Sequence, residues 1–365
     1  MNGRAQATMT GGRPSAGILR GGVPFNRLGS GPHTVVVFQG LLFENKPLAR
    51  LDVLLALRMY RFLERRHTIW VLTRRRGLAP GTSLADMADD YAVAIRDELG
   101  GGPVDVIGVS TGGSIAQHFA ADHPDLVRRL VIHSSAHTLT PESRALQMEL
   151  AHLAAEGRWR EAYSLIIGTM AARHRFLRVA TRPFGWLMAW SAPDDPSDLI
   201  VTVEAEDVHA FRERLGEIRA PTLVVAGTAD PFYTEALFRE TAEGIPDGRL
   251  ILYPGMGHPA TGKRFARDVL DFLDEPDPAA APDKRHGPNG RAAGPTHGQR
   301  GRGRGGGRGG GATPRRQPTR VQAPLRSASG GVSPGASVSL LALPPGTAPA
   351  AAGPAGAAVR RPSPS

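Results

Sequence analysis

VIGVSTGGSIA, residues 106–116, passes from strand-forming to helix-forming residues through one serine, Ser110, with Gly108 two positions before it and Gly112 two positions after. Val and Ile are stiff at χ1 and favour a pleated strand. SIAQHFAADHP continues as a helix, with Ile115 and Phe119 one turn apart. A strand that enters a helix through G-x-S-x-G lifts its serine onto a sharp corner, with the hydroxyl above the strand ends. Side chains at 108 and 112 would collide as strand and helix close on each other. The same corner aims the helix N-terminus at the hydroxyl, which makes the Thr111 N–H a candidate oxyanion donor. The alternative is a tight turn carrying an incidental serine.

A serine hydroxyl is a poor nucleophile near neutral pH and needs a base, which in turn needs an orienting acid. In an open α/β sheet such groups gather beyond the carboxyl ends of the strands. Of twelve histidines, His258 fits best, because LILYPGMGHPA reads as a strand running into a glycine-rich loop. Among the carboxylates Asp230 fits best, since PTLVVAGTADPF reads as a strand followed by a short turn. The chain order is then Ser110, Asp230, His258. The remaining histidines have blander readings. His123 sits at a helix end, His118 and His133 are expected to be satisfied by local hydrogen bonds, and His137 is a minor candidate for the cleft. His209 stands alone in a helical stretch. No histidine spacing suggests a metal, and none of the expected chemistry calls for a cofactor.

Around the turn, apolar runs alternate with helical patterns: 34–38, 68–72, 104–109, 129–134, 221–227 and 249–254. Such near-continuous Val/Ile/Leu runs suit parallel strands buried on both faces. VPFNRLGSGP, 23–32, offers a short edge hairpin. Ser83 with Asp86 writes an N-terminal cap, followed by Leu84, Met87, Tyr91, Ile95 and Leu99 before Gly100. Phe265, Val269, Phe272 and Leu273 mark one face of a last helix. The expected fold class is therefore α/β, a doubly wound, mostly parallel sheet. Between 136 and 218 the alternation breaks into helical signals at 141–157, 159–176 and 204–218. A connection of about 80 residues is too long for an ordinary loop and reads as an inserted helical cap. The expected organisation is a disordered N-terminus at 1–19, sheet core at 20–135 and 219–275, the cap at 136–218 and a disordered tail at 276–365.

Composition supports that division. Residues 276–365 hold 13 of the 44 Lys and Arg but only 2 of the 34 Asp and Glu, a charge of +11, whereas the other 275 residues sum to −1. The basic character belongs to the tail, which excludes a basic nucleic-acid-binding core. RGRGRGGGRGGG, 300–311, lacks the interleaved aromatics that stack on bases. Only weak, nonspecific contact with nucleic acid through 284–326 is expected. There are no cysteines, hence no disulfide or thiolate chemistry. No apolar stretch approaches the length of a membrane span, and the first residues carry no apolar leader core. A soluble, cytoplasmic protein without membrane association is expected.

Taken together, GVSTGG, GTAD, GMGH and the helical stretch before GTAD resemble the α/β-hydrolase superfamily over residues 20–275. The resemblance implies a Ser110–His258–Asp230 triad acting on a small acyl substrate and water. It also implies a second oxyanion donor just after a His-Gly pair. In FQGLLFEN, 38–45, Gly40 matches that pair, Gln39 stands where histidine is usual, and the donor becomes the backbone N–H of Leu41. Gln39, Leu42, Trp186 and Trp190 are candidate pocket residues. The expected activity is hydrolysis of carboxylic esters or lactones. Amide, thioester, C–C or perhydrolase chemistry would use the same three residues, and a non-catalytic scaffold or an RNA-associated role are the competitors.

Overall fold

Six runs rich in Val, Ile and Leu form the parallel part of an eight-stranded sheet. A computed structural model describes residues 14–47, 59–170 and 189–276. All of these lie in the first of two units of the chain, Met1–Gly287. The strands are β1 (Ser15–Ile18), β2 (Pro24–Leu28), β3 (His33–Phe38), β4 (His67–Leu72), β5 (Val104–Val109), β6 (Val127–His133), β7 (Thr222–Gly227) and β8 (Gly248–Tyr253). Their spatial order is β1-β2-β4-β3-β5-β6-β7-β8. β2 pairs antiparallel with both β1 and β4, and every other pairing is parallel. Every residue of β5 and of β7 is buried, as expected of parallel strands covered on both faces.

Alternate residues of these strands feed two separate cores, because successive side chains leave a strand on opposite faces. Val36, Phe38, Val106, Ile132 and Val224 pack with Tyr91 and Phe119 on one face. Val35, Val37, Ile107, Val131 and Val225 pack with Phe265, Val269 and Phe272 on the other. The first face is covered by α1 (Leu84–Glu98), α2 (Thr111–Asp122) and α6 (Glu235–Gly244), and the second by α7 (Lys263–Leu273). The predicted start of α1 is realised as a reciprocal cap. Ser83 Oγ accepts from the Asp86 N–H at 3.1 Å, while Asp86 Oδ2 accepts from the Ser83 N–H at 2.8 Å. Gly100, at φ 97°, takes the left-handed backbone that ends the helix.

Three helices, α3 (Pro141–Ala155), α4 (Trp159–Met170) and α5 (Ser197–Asp207), lie between β6 and β7. Leu41 and Phe43, from the loop after β3, pack against Ala151, Ala154 and Leu199 of α3 and α5. The insertion thereby stands over the carboxyl ends of the strands. Asp198 accepts from the backbone of Gly77 and Leu78 at 3.2 and 2.8 Å and ties α5 to the loop after β4.

Three sequence expectations change. The stretch 23–32, read as a short edge hairpin, supplies the single strand β2, whose hairpin partner is β1 and whose other neighbour is β4. The helix expected at 204–218 instead occupies 197–207 and is followed by a separate turn of 3-10 helix, Arg212–Glu217. The backbone between them serves tertiary partners: Phe211 N–H donates to His137 O, and His209 O accepts from Thr138 and Arg144. β1 falls inside the segment 1–19 read as disordered, because residues 15–18 find a full register of partners in 24–27. Residues 1–13 and the tail from 277 lie outside the described residues. No described helix is long and apolar enough to cross a membrane.

Ser83→Ala removes one arm of the α1 cap without touching the site. The expected outcome is a loss of about 1 kcal/mol in urea unfolding, with the denaturant slope unchanged. A loss below about 0.3 kcal/mol would show that the cap contributes nothing measurable.

Candidate active site

β5 ends at Val109 and α2 begins at Thr111, so Ser110 alone makes the turn. Its backbone sits at φ 52°, ψ −126°, a region that disfavours any residue with a Cβ and is held only by strong surrounding constraints. Ser110 N–H donates to His133 O at 3.0 Å, and Gly113 N–H donates back to Ser110 O at 2.6 Å. The neighbouring glycines are there because nothing larger fits. A Cβ at Gly108 would stand 2.6 Å from Gly112 O, and one at Gly112 would stand 2.1 Å from Phe38 O. Gly113, which the sequence reading left unexplained, is just as constrained, since its Cβ would meet the Ser135 Cβ at 2.4 Å.

The turn after β7 and the loop after β8 are locked together in the same way. A Cβ on Gly227 would lie 2.2 Å from Met256 O. Ala229 N–H donates to that carbonyl at 2.9 Å, and Gly255 N–H donates to Thr228 Oγ1 at 2.8 Å. This brings Asp230 Oδ2 within 2.8 Å of His258 Nδ1, with the Asp230 and His258 side chains 1% and 7% exposed. Asp230 Oδ1 accepts from the N–H groups of Phe232 and Tyr233 at 2.9 and 3.3 Å, so the carboxylate is oriented on both oxygens. A carboxylate only accepts, hence Nδ1 carries the proton and Nε2 is left as the basic nitrogen.

Beneath this loop, His133 links distant parts of the chain rather than local groups. Tyr60 O–H donates to its Nδ1 at 2.9 Å, and its Nε2–H donates to Ala260 O at 2.6 Å. Ala260 N–H in turn donates to Ser134 Oγ at 3.0 Å, so the residues just past His258 are held from below. Burial keeps His133 neutral, with its pKa pushed down to about 3.

Ser110, Thr111 and His258 share the wall of a cavity of about 220 Å³. The rest of its lining is mostly apolar and comes chiefly from the loop after β3, from α3 and α4 and from Phe232 and Tyr233, with Met59, Val109 and Pro259. Gly40 runs close beside the turn, since a Cβ there would lie 3.3 Å from Ser110 Cβ. A serine, a carboxylate-bound imidazole and backbone amides around an apolar cavity are the parts list of nucleophilic acyl chemistry. Among the described residues no group of three could hold a metal ion.

A family model described as alpha/beta hydrolase fold matches residues 64–180. The chain is 30% identical to the RutD protein of Variovorax paradoxus, provisionally named a carbamate hydrolase, over 54% of this chain and 75% of that protein. It is 27% identical to 2-hydroxymuconate semialdehyde hydrolase of Pseudomonas putida, over 52% of this chain and 68% of that one. A match to polyketide synthase ThaQ of Burkholderia thailandensis, 29% identical, covers 72% of this chain but 12% of that protein. Among solved structures, the enol-lactonase of Burkholderia xenovorans LB400 superposes with a TM-score of 0.56 at 20% identity, over 72% of this chain and all of that one. The chain belongs to the α/β-hydrolase fold family.

Within this α/β-hydrolase fold the sequence-derived residues divide. Ser110, Thr111, Gln39, Leu41 and His258 line the cavity, and Asp230 stands behind His258. Leu42 does not line it. Leu41 and Phe43 pack against α3 and α4 and line the cavity in its stead. Trp190 is 74% exposed and stands off the cavity, and Trp186 lies outside the described residues. In their place come Gln147 and Leu150 of α3, Ile166 and Met170 of α4, and the pair Phe232–Tyr233. Phe232 meets the His258 ring edge-on at 4.8 Å and Tyr233 stacks on it at 6.2 Å.

Of the histidines away from the cavity, His123 ends α2 as read from the sequence and pairs with Asp89 at 2.7 Å, whereas buried His137 faces Glu240 at 3.2 Å instead of the cleft. His209 is not alone: it stacks on Phe211 and lies 5.5 Å from His118, whose Nδ1 has no hydrogen-bond partner among the described residues. Burial, reinforced by His118, lowers the His209 pKa to about 3.

Buried neutral histidines give this fold a defined acid sensitivity. Below about pH 6.5 the unfolded chain protonates His133 and His209 while the folded chain does not until about pH 3. Their stabilisation is complete above about pH 7 and is lost as pH falls from 6.5 towards 3, at about 1 kcal/mol per pH unit for each. The expected outcome for His209→Phe is a stability–pH slope, measured by urea unfolding between pH 6.5 and 4, reduced by about that amount. An unchanged slope would show that His209 is protonated in the folded state.

Proposed function

We propose that this chain is a cofactor-independent serine hydrolase that cleaves carboxylic esters or lactones, with Ser110 as nucleophile, His258 as base and Asp230 as orienting acid. The observation that carries the reading is the buried 2.8 Å Asp230–His258 contact, with His258 and Ser110 on one apolar cavity. In this reading His258 Nε2 takes the Ser110 proton as Oγ attacks the acyl carbon. Asp230 holds the Nδ1–H tautomer and stabilises the imidazolium that forms. The N–H of Thr111, the first residue of α2, has no acceptor within its own helix and is available to the oxyanion, together with the Leu41 N–H. The leaving alcohol takes the proton from His258, and water, activated by the same base, releases the acid. The helices between β6 and β7 act as a cap whose α3 and α4 side chains select small apolar acyl groups.

A second reading is favoured by the identity to the Pseudomonas putida protein, whose name specifies 2-hydroxymuconate semialdehyde as its substrate. Ser110 and His258 would then act in hydrolysis of that class of compound.

Fluorophosphonate labelling and turnover of a panel of p-nitrophenyl esters, a δ-lactone and 2-hydroxymuconate semialdehyde test both readings. The expected outcome is labelling at Ser110 and ester turnover, with kcat lower by about 10³-fold or more in Ser110→Ala and in Asp230→Asn. Labelling and turnover that survive Ser110→Ala would overturn the assignment of the nucleophile. A folded wild type that neither labels nor turns over any member would leave the fold as a binding scaffold. A kcat/KM for the semialdehyde more than about 100-fold above the best ester would replace the first reading with the second.

A further inference from the structure

Two buried ionisable side chains flank the nucleophile turn, and the mechanism above uses neither. Arg74, in the loop after β4, is 1% exposed and bonds two backbone carbonyls, NH1 donating to Gln39 O at 3.1 Å and NH2 to Gly40 O at 3.0 Å. Glu206, in the last turn of α5, is fully buried. Its two oxygens accept from Thr111 Oγ1 at 2.6 Å and from Ser114 Oγ at 3.1 Å. Neither side chain lines the cavity. Each grips one of the two segments whose N–H groups the proposed mechanism points at the oxyanion.

The grip has a direction. A peptide group is planar and trans, so the Gly40 carbonyl and the Leu41 N–H are opposite ends of one rigid plate. Fixing the carbonyl with a guanidinium fixes where the Leu41 N–H points, and a cation on the oxygen polarises the amide towards a stronger donor. On the other side Glu206 ties Thr111, the first residue of α2, to Ser114, one turn further along. This holds the first helical turn, and with it the Thr111 N–H, against α5 of the insertion. Burial works against both charges, pulling the Arg74 guanidinium down and pushing the Glu206 carboxyl up, while each favours the charged form of the other. Burying two ionisable groups is costly, and here one is bonded to the carbonyls of Gln39 and Gly40 and the other to the hydroxyls of Thr111 and Ser114, the two segments that meet at Ser110.

We propose that Arg74 and Glu206 are positioning residues of the oxyanion hole, Arg74 orienting the Leu41 N–H through the Gly40 carbonyl and Glu206 orienting the Thr111 N–H through the first turn of α2. The inference rests on Ser110 being the nucleophile. It makes the insertion part of the catalytic frame as well as a wall of the pocket, because α5 supplies Glu206.

Arg74→Gln, Arg74→Lys, Glu206→Gln and Thr111→Val test it, with kcat expressed per site titrated to completion by a fluorophosphonate. For a p-nitrophenyl butyrate substrate, Arg74→Gln and Glu206→Gln are expected to lower kcat about 10- to 100-fold while KM stays within about 3-fold. An n-butylboronic acid, which forms a tetrahedral adduct on the serine with an oxygen in the hole, should bind more weakly by the same factor. Arg74→Lys keeps the cation but cannot bond both carbonyls in one fork, so it should fall between Arg74→Gln and wild type. If Arg74→Gln or Glu206→Gln does not fold, Arg74→Lys and Thr111→Val carry the test with a kcat loss of about 5-fold or more. Titrated variants with kcat and boronate affinity within about 3-fold of wild type overturn the proposal. So does a parallel loss of substrate and boronate binding, which marks a role in packing alone. A wild type that takes up no probe overturns the Ser110 reading as well, an outcome distinct from labelled wild type with unaffected variants.

Discussion

The close approach of β3, β5, β6 and the first turn of α2 around Ser110 is the constraint on which the rest of the site depends. Phe38 O, Gly112, Gly108 and Ser135 occupy a space in which any added methyl would lie between 2.1 and 2.6 Å from a neighbour. That crowding holds Ser110 at a positive φ, which an isolated chain would not choose. The strain is sustained by the pairing of β5 between β3 and β6 and by the hydrophobic cores on either side of the sheet. A site assembled on strand ends inherits the rigidity of those strands, while the surrounding loops are free to vary in chemistry.

The same economy recurs at Asp230 and His258. Neither Asp230 nor His258 is fixed by a strand; both sit on loops, and loops are mobile unless their backbone groups are taken up. Here the carbonyl of Met256, the hydroxyl of Thr228 and the relay from Tyr60 through His133 to Ala260 take them up. The two buried ionisable residues beside the turn extend this logic to the loop after β3 and the first turn of α2. In each case a group distant in sequence fixes a backbone segment that borders the cavity.

Much of this was legible from residue order alone. Near-continuous apolar runs marked the parallel strands, and those runs matched β3 to β8 to within one or two residues at their ends. The glycines of GVSTGG marked a turn with no room for side chains, because a short strand-to-helix connection has few solutions. Ser83 and Asp86 marked the start of α1, since a reciprocal cap is local chemistry. Other features were not legible. EAEDVHAFRERLGEI has a helical pattern, but Phe211 is buried and its backbone amide goes to His137 O, a long-range bond that outweighs propensity. Trp190 drew attention as an aromatic near the cap, yet pocket walls are chosen by which face of a helix turns inward. Leu150 and Ile166 won that place instead. Arg74 sits in TRRRG among two other arginines, and nothing in that local sequence sets it apart from them, although it is buried on the carbonyls of Gln39 and Gly40.

The sequence by itself determined the parallel α/β sheet, the tight turn at Ser110 and the order of Ser110, Asp230 and His258. These rest on periodicity, on glycine sterics and on short stretches read one at a time. Only the tertiary structure decided which side chains face the cavity, which histidines are buried and neutral, and which ionisable groups hold the loops of the site. Those outcomes depend on contacts such as Thr111 to Glu206 and His133 to Ala260, made across 95 and 127 residues. Their energies come from burial and from hydrogen bonds in a low-dielectric interior, which exists only once the chain has folded around them.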